Sequence, residues 1–282
     1  GSAGGSAGGS DDLVALSDEF GDAGTVGNWL RIHQTEQWPA DQLERYDIAD
    51  TEPGHMTLIP YSSTWYNDYR GAFVYKELSG DVIATMRTRA GNRGDGGTPA
   101  ALYSVGGVAF RVPRSITGAT WVSGGERWVL VGVGVGGTVG TPVHLVSTTV
   151  ASNSVLQSTN TTSLDAELRI IRIGSAVLIL ARPTAGSWQV LRRVARSDFP
   201  ATLQVGIWCD TDYAAATGYL PQQHNGMQIT AVNTPGAMPD LDLRVDWFRF
   251  SRPVVPASWA GLDLTNPAQV SDAQLLTQFG AD

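Results

Sequence analysis

Cysteine occurs once in the 282 residues, at Cys209, and lysine once, at Lys76. A single thiol excludes an internal disulfide and a cysteine-based zinc site. Set in the strand-like run Ile207-Trp208-Cys209, it reads as a small buried hydrophobe. Charge is scarce, at 16% of residues, and unbalanced: 19 basic side chains face 27 acidic ones, for a formal net charge of −8. No dense basic cluster is present, so a nucleic-acid partner is not expected. No apolar run approaches the ~20 residues that a membrane-spanning helix needs. Long amphipathic helical patterns and repeats of fixed period are missing as well.

Glycine, serine and threonine are abundant, with 33 glycines, and 42% of residues are hydrophobic. Few charges, many β-branched residues and many turn formers indicate an all-β protein of extracellular or cell-surface type. Residues 1–10, GSAGGSAGGS, have no side chain able to build a core and read as a flexible or engineered linker. With no initiator methionine and no signal-peptide pattern, the native start is expected to be missing. Alternating apolar and polar residues mark strands at 55–60, 72–78, 81–89, 105–112, 127–133, 142–150, 166–173, 176–182, 188–195, 201–210 and 241–251. Residues 39–48 read as a helical turn or a loop. A C-terminal helix is expected over 266–280, capped by Asn266, with Pro267 in its first turn and Gly280 as its stop. The organisation predicted is an antiparallel β-sandwich over 11–255 and a tail with a short helix over 256–282.

The stretch WVLVGVGVGGTVG, 128–140, contains Gly132-x-Gly134-x-x-Gly137, the spacing of a dinucleotide-binding turn. That turn should open a helix and be followed about 20 residues later by an acid. Here the chain continues as TPVHLVSTTVASNSV, strand-like and without an acid. The stretch is therefore a strand. Val129, Val131, Val133 and Val135 share the face expected to enter the core, and Gly132, Gly134 and Gly136 the other. Glycine there leaves bare backbone for the close approach of a partner strand, an aromatic ring or a ligand.

Several segments, in order, resemble the concanavalin A-like lectin and glucanase jelly rolls: LSDEFGDAGTVGNWL, GAFVYKELSGDVIATMRTRA, YSVGGVAFRVPR, LRIIRIGSAVLILARPTAGSWQVLRR, LQVGIW and VDWFRF. The resemblance spans about residues 16 to 252. It implies two antiparallel sheets, often with a glycan-binding face. It also implies a structural calcium joining the opening and closing strands, and Asp18, Glu19 and Asp246 lie in the matching segments. The same acids have an alternative use, in pairs with arginines such as Arg244 or facing water. The glucanase members carry paired acids as Glu-x-Asp-x-x-Glu, spaced for a retaining mechanism. This chain has no such motif. Its nearest acids are Asp210 with Asp212 and Asp240 with Asp242 and Asp246, so catalysis is not expected.

The segment STWYNDYRG, 63–71, gathers Trp65, Tyr66, Asn67, Asp68, Tyr69 and Arg70. Aromatic faces flanked by amide, carboxylate and guanidinium groups suit a sugar, which makes this cluster the candidate ligand site. The alternative is that its rings cap an edge of the sandwich. Trp128 and Trp188 sit in strand patterns and are expected in the core. Arg93-Gly94-Asp95 reads as an ordinary loop turn, and Asn160-Thr161-Thr162 is a glycosylation sequon in a secretory context. The histidines, His33, His55, His144 and His224, are widely spaced, and no Gly-x-Ser-x-Gly elbow is present.

The expected function is a non-catalytic, lectin-like, carbohydrate-binding domain, extracellular or at the cell surface, with a glycan or other surface ligand as partner. The alternative is a structural or adhesion subunit of a surface layer, fibre or virion. Assembly or a fusion partner would then act through the linker, the tail helix or a sheet edge. An atypical glycoside hydrolase is a third reading.

Overall fold

The computed structural model describes residues 11–281; the Gly/Ser/Ala stretch at 1–10 lies outside the described residues. The strands are β1 (Leu30–Arg31), β2 (Leu43–Ile48), β3 (Met56–Pro60), β4 (Ala72–Ser79), β5 (Val82–Asn92), β6 (Ser104–Arg111), β7 (Trp128–Val135), β8 (Pro142–Val150), β9 (Asn153–Asn160), β10 (Asp165–Ile173), β11 (Ala176–Pro183), β12 (Gln189–Ala195), β13 (Thr202–Asp210) and β14 (Leu241–Ser251). The helices are short: α1 (Ile32–Thr35), α2 (Tyr213–Ala216), α3 (Pro221–Asn225) and α4 (Asp272–Phe279). The strands form two seven-stranded sheets, ordered β1-β4-β13-β6-β7-β8-β9 and β12-β11-β10-β5-β14-β3-β2. The fold is an antiparallel β-sandwich of jelly-roll type.

Alternation along the strands builds three layers of apolar packing rather than one. Between the sheets lie Val129, Val131, Val133, Val205, Ile207 and Cys209 from the first sheet, against Leu168, Ile170, Leu243 and Phe248 from the second. Full burial of each aliphatic side chain contributes about 1.5–3 kcal/mol. The outer face of the first sheet carries its own cluster, including Trp65, Phe73, Trp128, Leu130, Leu145 and Trp208. The outer face of the second sheet, with Leu178, Leu180 and Trp188, is roofed by Trp259, Leu264, Val270, Leu275 and Phe279 of the tail. Trp128 and Trp188 are thus buried as expected, each on an outer face rather than between the sheets.

The valine and glycine faces of β7 separate as the sequence predicts, and the glycines have named neighbours. A Cβ at Gly132 would lie 2.6 Å from Val105 Cγ1 and 2.7 Å from Trp208 Cζ2. At Gly134 it would meet the Ser104 carbonyl at 2.1 Å, and at Gly136 the Val143 side chain at 3.1 Å. A partner strand and an aromatic ring fill the space.

Two expectations are corrected. Within 39–48, expected as a helical turn or a loop, residues 43–48 form β2; a bulge between Leu43 and Arg45 shifts its register on β3 and hides the alternation. The tail helix begins at Asp272 rather than near Asn266. Ser271 caps it by accepting the Gln274 amide hydrogen at 3.3 Å, while Asn266 turns its Oδ1 to the Ala268 amide at 2.9 Å. The Ser271–Gln274 capping box outcompetes the isolated Asn-Pro signal. Gly280 ends the helix as expected. β9 adds a strand that the pattern did not predict.

Candidate functional site

A cavity of about 310 Å³ opens on the outer face of the first sheet. Its floor is Trp208 of β13, Leu145 of β8 and Trp65 from the loop before β4. The Trp208 Nε1–H donates to the Val131 carbonyl at 3.1 Å, and the Trp65 Nε1–H to the Ala72 carbonyl at 3.3 Å. Both indole donors are therefore used internally. Gly71 lets Trp65 lie against the backbone, since a Cβ there would be 2.8 Å from its Nε1.

The wall is half-exposed and phenolic. Tyr66, Tyr103 and Tyr213 line it, with ring centroids 6.2 Å apart for Tyr66–Tyr213 and 5.2 Å apart for Tyr103–Tyr213. Burial, with the neighbouring Tyr66 and Tyr103, pushes the Tyr213 phenol above its ordinary range. The backbone around the cavity is strained. Asn67, Tyr103 and Asp212 have φ of 52°, 55° and 58°, a left-handed conformation that a bulky aromatic such as Tyr103 rarely adopts.

Asp210 lines the same cavity at the end of β13 and is 5% exposed. Its Oδ2 accepts the Trp65 amide hydrogen at 3.1 Å, while Oδ1 is buried without a hydrogen-bond partner. Burial pushes this carboxyl well above the usual carboxylate range, outweighing the amides of Trp65 and Val105 and the hydroxyl of Thr64. Asp212, two residues on, is engaged elsewhere: its Oδ2 accepts from Ser62 Oγ at 2.7 Å and from the Met238 amide at 2.8 Å.

The 63–71 cluster divides between the cavity and its frame. Trp65 and Tyr66 reach the cavity. Asn67 is bonded to Ser154, its amide donating to Ser154 Oγ at 2.6 Å and its Oδ1 accepting the Ser154 amide at 3.0 Å. Asp68 accepts the Gly124 amide at 2.9 Å and the Ser152 hydroxyl. The Tyr69 hydroxyl donates to the Tyr219 carbonyl at 2.8 Å. Arg70 is fully buried, donating to Gln42 Oε1 at 3.1 Å and the Asn225 carbonyl at 2.8 Å, with its guanidinium 4.7 Å from the Trp38 ring centroid. Burial lowers the Arg70 pKa to about 10 despite nearby Glu36. These four polar residues stitch loops together around the cavity. Tyr103, Ser154, Trp208, Asp210 and Tyr213, which the sequence left unmarked as site residues, complete it.

No protein-family model matches the sequence, and no curated protein does. Among solved structures, the chain is similar to the Bacteroides ovatus protein described as Xyloglucan PUL GH43B, at 12% identity and a TM-score of 0.52. That match covers 84% of this chain and 39% of the other. The GH43 BlXynB protein from Bacillus licheniformis gives 11% identity, the same coverages of 84% and 39%, and a TM-score of 0.53. Lectin I-B4 from Griffonia simplicifolia, in its metal-free form, gives 14% identity, coverages of 84% and 99%, and a TM-score of 0.46. The likeness is one of fold. The chain spans well under half the length of the two GH43 proteins, and at these identities the shared β-sandwich carries no residue roles with it.

Within that sandwich the acids Asp18, Glu19 and Asp246 are each held by protein donors. Asp18 accepts the Phe20 amide at 2.9 Å and the Trp29 indole N–H at 3.1 Å. Its backbone exchanges two 2.8 Å bonds with Phe248, so the opening and closing segments do meet. Glu19 pairs with Arg249 at 2.7 Å, and Asp246 lies 3.3 Å from His55 and 3.1 Å from Arg87. Among the described residues, no group of three or more His, Cys, Asp and Glu side chains is placed to hold a metal ion.

A larger groove, about 640 Å³, lies on the outer face of the second sheet, lined by Glu19, Glu167, Arg169, Arg182, Trp247 and Arg249 among others. Its polar groups are already used: Arg182 donates to Glu167 at 2.8 Å, Arg249 to Glu19, and Arg169 to Thr85 at 2.8 Å and to the tail carbonyls of Phe279 and Ala281. Of the two, the smaller, aromatic cavity is the better candidate, because it combines half-exposed rings, strained backbone and an unpartnered polar atom.

Proposed function

We propose that the chain is a non-catalytic carbohydrate-binding β-sandwich and that the cavity bounded by Tyr66, Tyr103 and Tyr213 is its binding site. The observation that carries this reading is the convergence of three half-exposed phenols over a floor of Trp65 and Trp208. Tyrosine offers a flat apolar face for the C–H side of a sugar ring and a hydroxyl for its edge, at little conformational cost. Tyr103 is held in a left-handed conformation at this site, a cost of about 1–3 kcal/mol that the surrounding fold must offset. The non-catalytic part of the reading is supported by the carboxyl count. Asp210 is the one acid among the residues lining the cavity, and two-carboxylate hydrolysis needs a second acid across the bond. An extracellular or cell-surface location belongs to the same reading, supported by the scarcity of charge and of lysine. The test is a glycan array probed with the purified chain, with Tyr66→Ala and Tyr213→Ala as variants. Binding that falls at least tenfold in both supports the site; no binding to any glycan overturns the reading.

A second reading, an assembly subunit, is favoured by β9. This edge strand of the first sheet carries no charge from Asn153 to Asn160 and exposes Val155. Unprotected edges of this kind pair with further strands.

A further inference from the structure

We propose that the cavity between Tyr66, Tyr103 and Tyr213 selects an uncharged sugar residue, and that Asp210 serves it as a neutral carboxylic acid rather than as a carboxylate. The inference rests on the carbohydrate-binding reading and names the ligand class within it.

No lysine, arginine or histidine lines the cavity. An acidic sugar would find no cation to pair with, and the chain's net charge of −8 opposes its approach. A cationic sugar would need an ionised acid, and Asp210 is the one candidate. Its surroundings argue against ionisation. The Trp65 amide reaches one oxygen at 3.1 Å, with the Val105 amide and the Thr64 hydroxyl also acting on the carboxyl; the other oxygen is buried without a hydrogen-bond partner, set among Trp65, Trp208 and three phenols. An anionic oxygen buried without a donor is strongly disfavoured, whereas protonation removes the charge and leaves an O–H that a neutral sugar hydroxyl can accept. The burial that pushes this carboxyl upward acts in the same direction. At about 310 Å³ the cavity sits at the small end of ligand sites, which suits one ring rather than a long chain segment.

Trp65 forms part of the floor, and its amide is bonded to Asp210. Ionising Asp210 would place a charge against the indoles, so the cost of high pH falls on the floor of the binding site.

The experiment has two independent arms on the intact chain. In the first, methyl galactoside, methyl glucoside and N-acetylgalactosamine are titrated calorimetrically beside galacturonic acid and glucosamine at pH 7. The expected result is binding of at least one neutral sugar at least tenfold more tightly than either charged one, weakening as pH is raised; the pH effect should be absent in Asp210→Asn. A charged sugar that binds as tightly as the best neutral one overturns the proposal. In the second arm, which needs no ligand, infrared spectra of the chain labelled with ¹³C-aspartate are compared with those of Asp210→Asn at pH 7. A protonated-carboxyl C=O band that vanishes in the variant supports a neutral Asp210; no such band in the parent overturns it, even if the variant does not fold. If no sugar binds but the band is present, the carbohydrate reading fails while the state of Asp210 stands.

Discussion

The indole of Trp208 lies across the bare backbone of Gly132, with its Nε1–H bonded to the neighbouring Val131 carbonyl at 3.1 Å. The glycine face of β7 is thus a seat for a tryptophan that floors the candidate site. Gly132→Ala would place a methyl 2.7 Å from Trp208 Cζ2 and 2.6 Å from Val105 Cγ1. Overpacking of this kind costs about 1–3 kcal/mol. Urea denaturation should show a lower midpoint with an unchanged slope, together with altered tryptophan fluorescence. An unchanged midpoint would mean that the ring moves aside freely.

Most of the fold was legible because most strands bury one face, and a buried face forces alternation. β9 escaped because its inward face is only half-buried, at Ser154 and Leu156, and the rest is polar apart from the exposed Val155, so little in its pattern distinguishes strand from loop. The site was legible only in its local part. Trp65 and Tyr66 announce themselves as an aromatic pair in a polar loop. Asp210, with Trp208 beside it on β13, is joined to them by its side-chain carboxylate accepting the Trp65 amide hydrogen across 145 residues, which no local spacing records. Asn67, Asp68 and Arg70 look like ligand donors, yet they satisfy neighbouring loops. A residue type gives its hydrogen-bonding capacity, and only the fold says who uses it.

The outer face of the first sheet also buries charge, and this governs a second prediction. Arg111 is fully buried between Glu126, with Nε 3.0 Å from its Oε2, and Glu36, at 2.8 Å; Arg114 adds a 2.6 Å contact to Glu126. Burial alone would raise the Glu126 carboxyl, but Arg111 and Arg114 outweigh it and hold it below its ordinary value. Arg111→Met leaves two acids facing an apolar side chain, and breaking a buried pair costs about 3–5 kcal/mol. Chemical denaturation should show a loss of that order, nearly independent of salt because the network is shielded from mobile ions. A loss under about 1 kcal/mol would place the network's contribution at that of a surface pair.

Acid should weaken the fold through its histidines. Burial lowers the pKa of both His144 and His224 to about 4 from the ordinary 6.5. The His224 Nε2 accepts the Thr64 amide hydrogen at 3.1 Å, so protonation there removes a bond next to the candidate site. Because these folded-state values lie below the unfolded ones, the unfolded chain binds more protons below pH 6.5. Stability is therefore complete above pH 6.5 and is lost as pH falls from there toward about 4. His144→Leu removes one such group, and its stability relative to the parent should rise steadily over that interval. A difference that stays constant between pH 7 and pH 4 would show that His144 titrates alike in the two states.

The edges of the two sheets are unequally defended, which gives the assembly reading its own test. β12 carries Arg192 and Arg193, β2 carries Glu44, Arg45 and Asp47, and β1 is two residues long. β9 is eight residues long, uncharged and without proline, and its Val155 is 54% exposed. Charge and proline are the usual devices that keep an edge from pairing, so self-association, if the chain undergoes it, should run through β9. Light scattering across a concentration series reads this directly. If the parent associates, Val155→Lys should return it to a monomer by placing like charges opposite each other across the new pair, with little effect on folding because the position faces solvent. Association that persists in Val155→Lys would move the interface elsewhere, and a parent that stays monomeric at every concentration removes self-pairing at this edge.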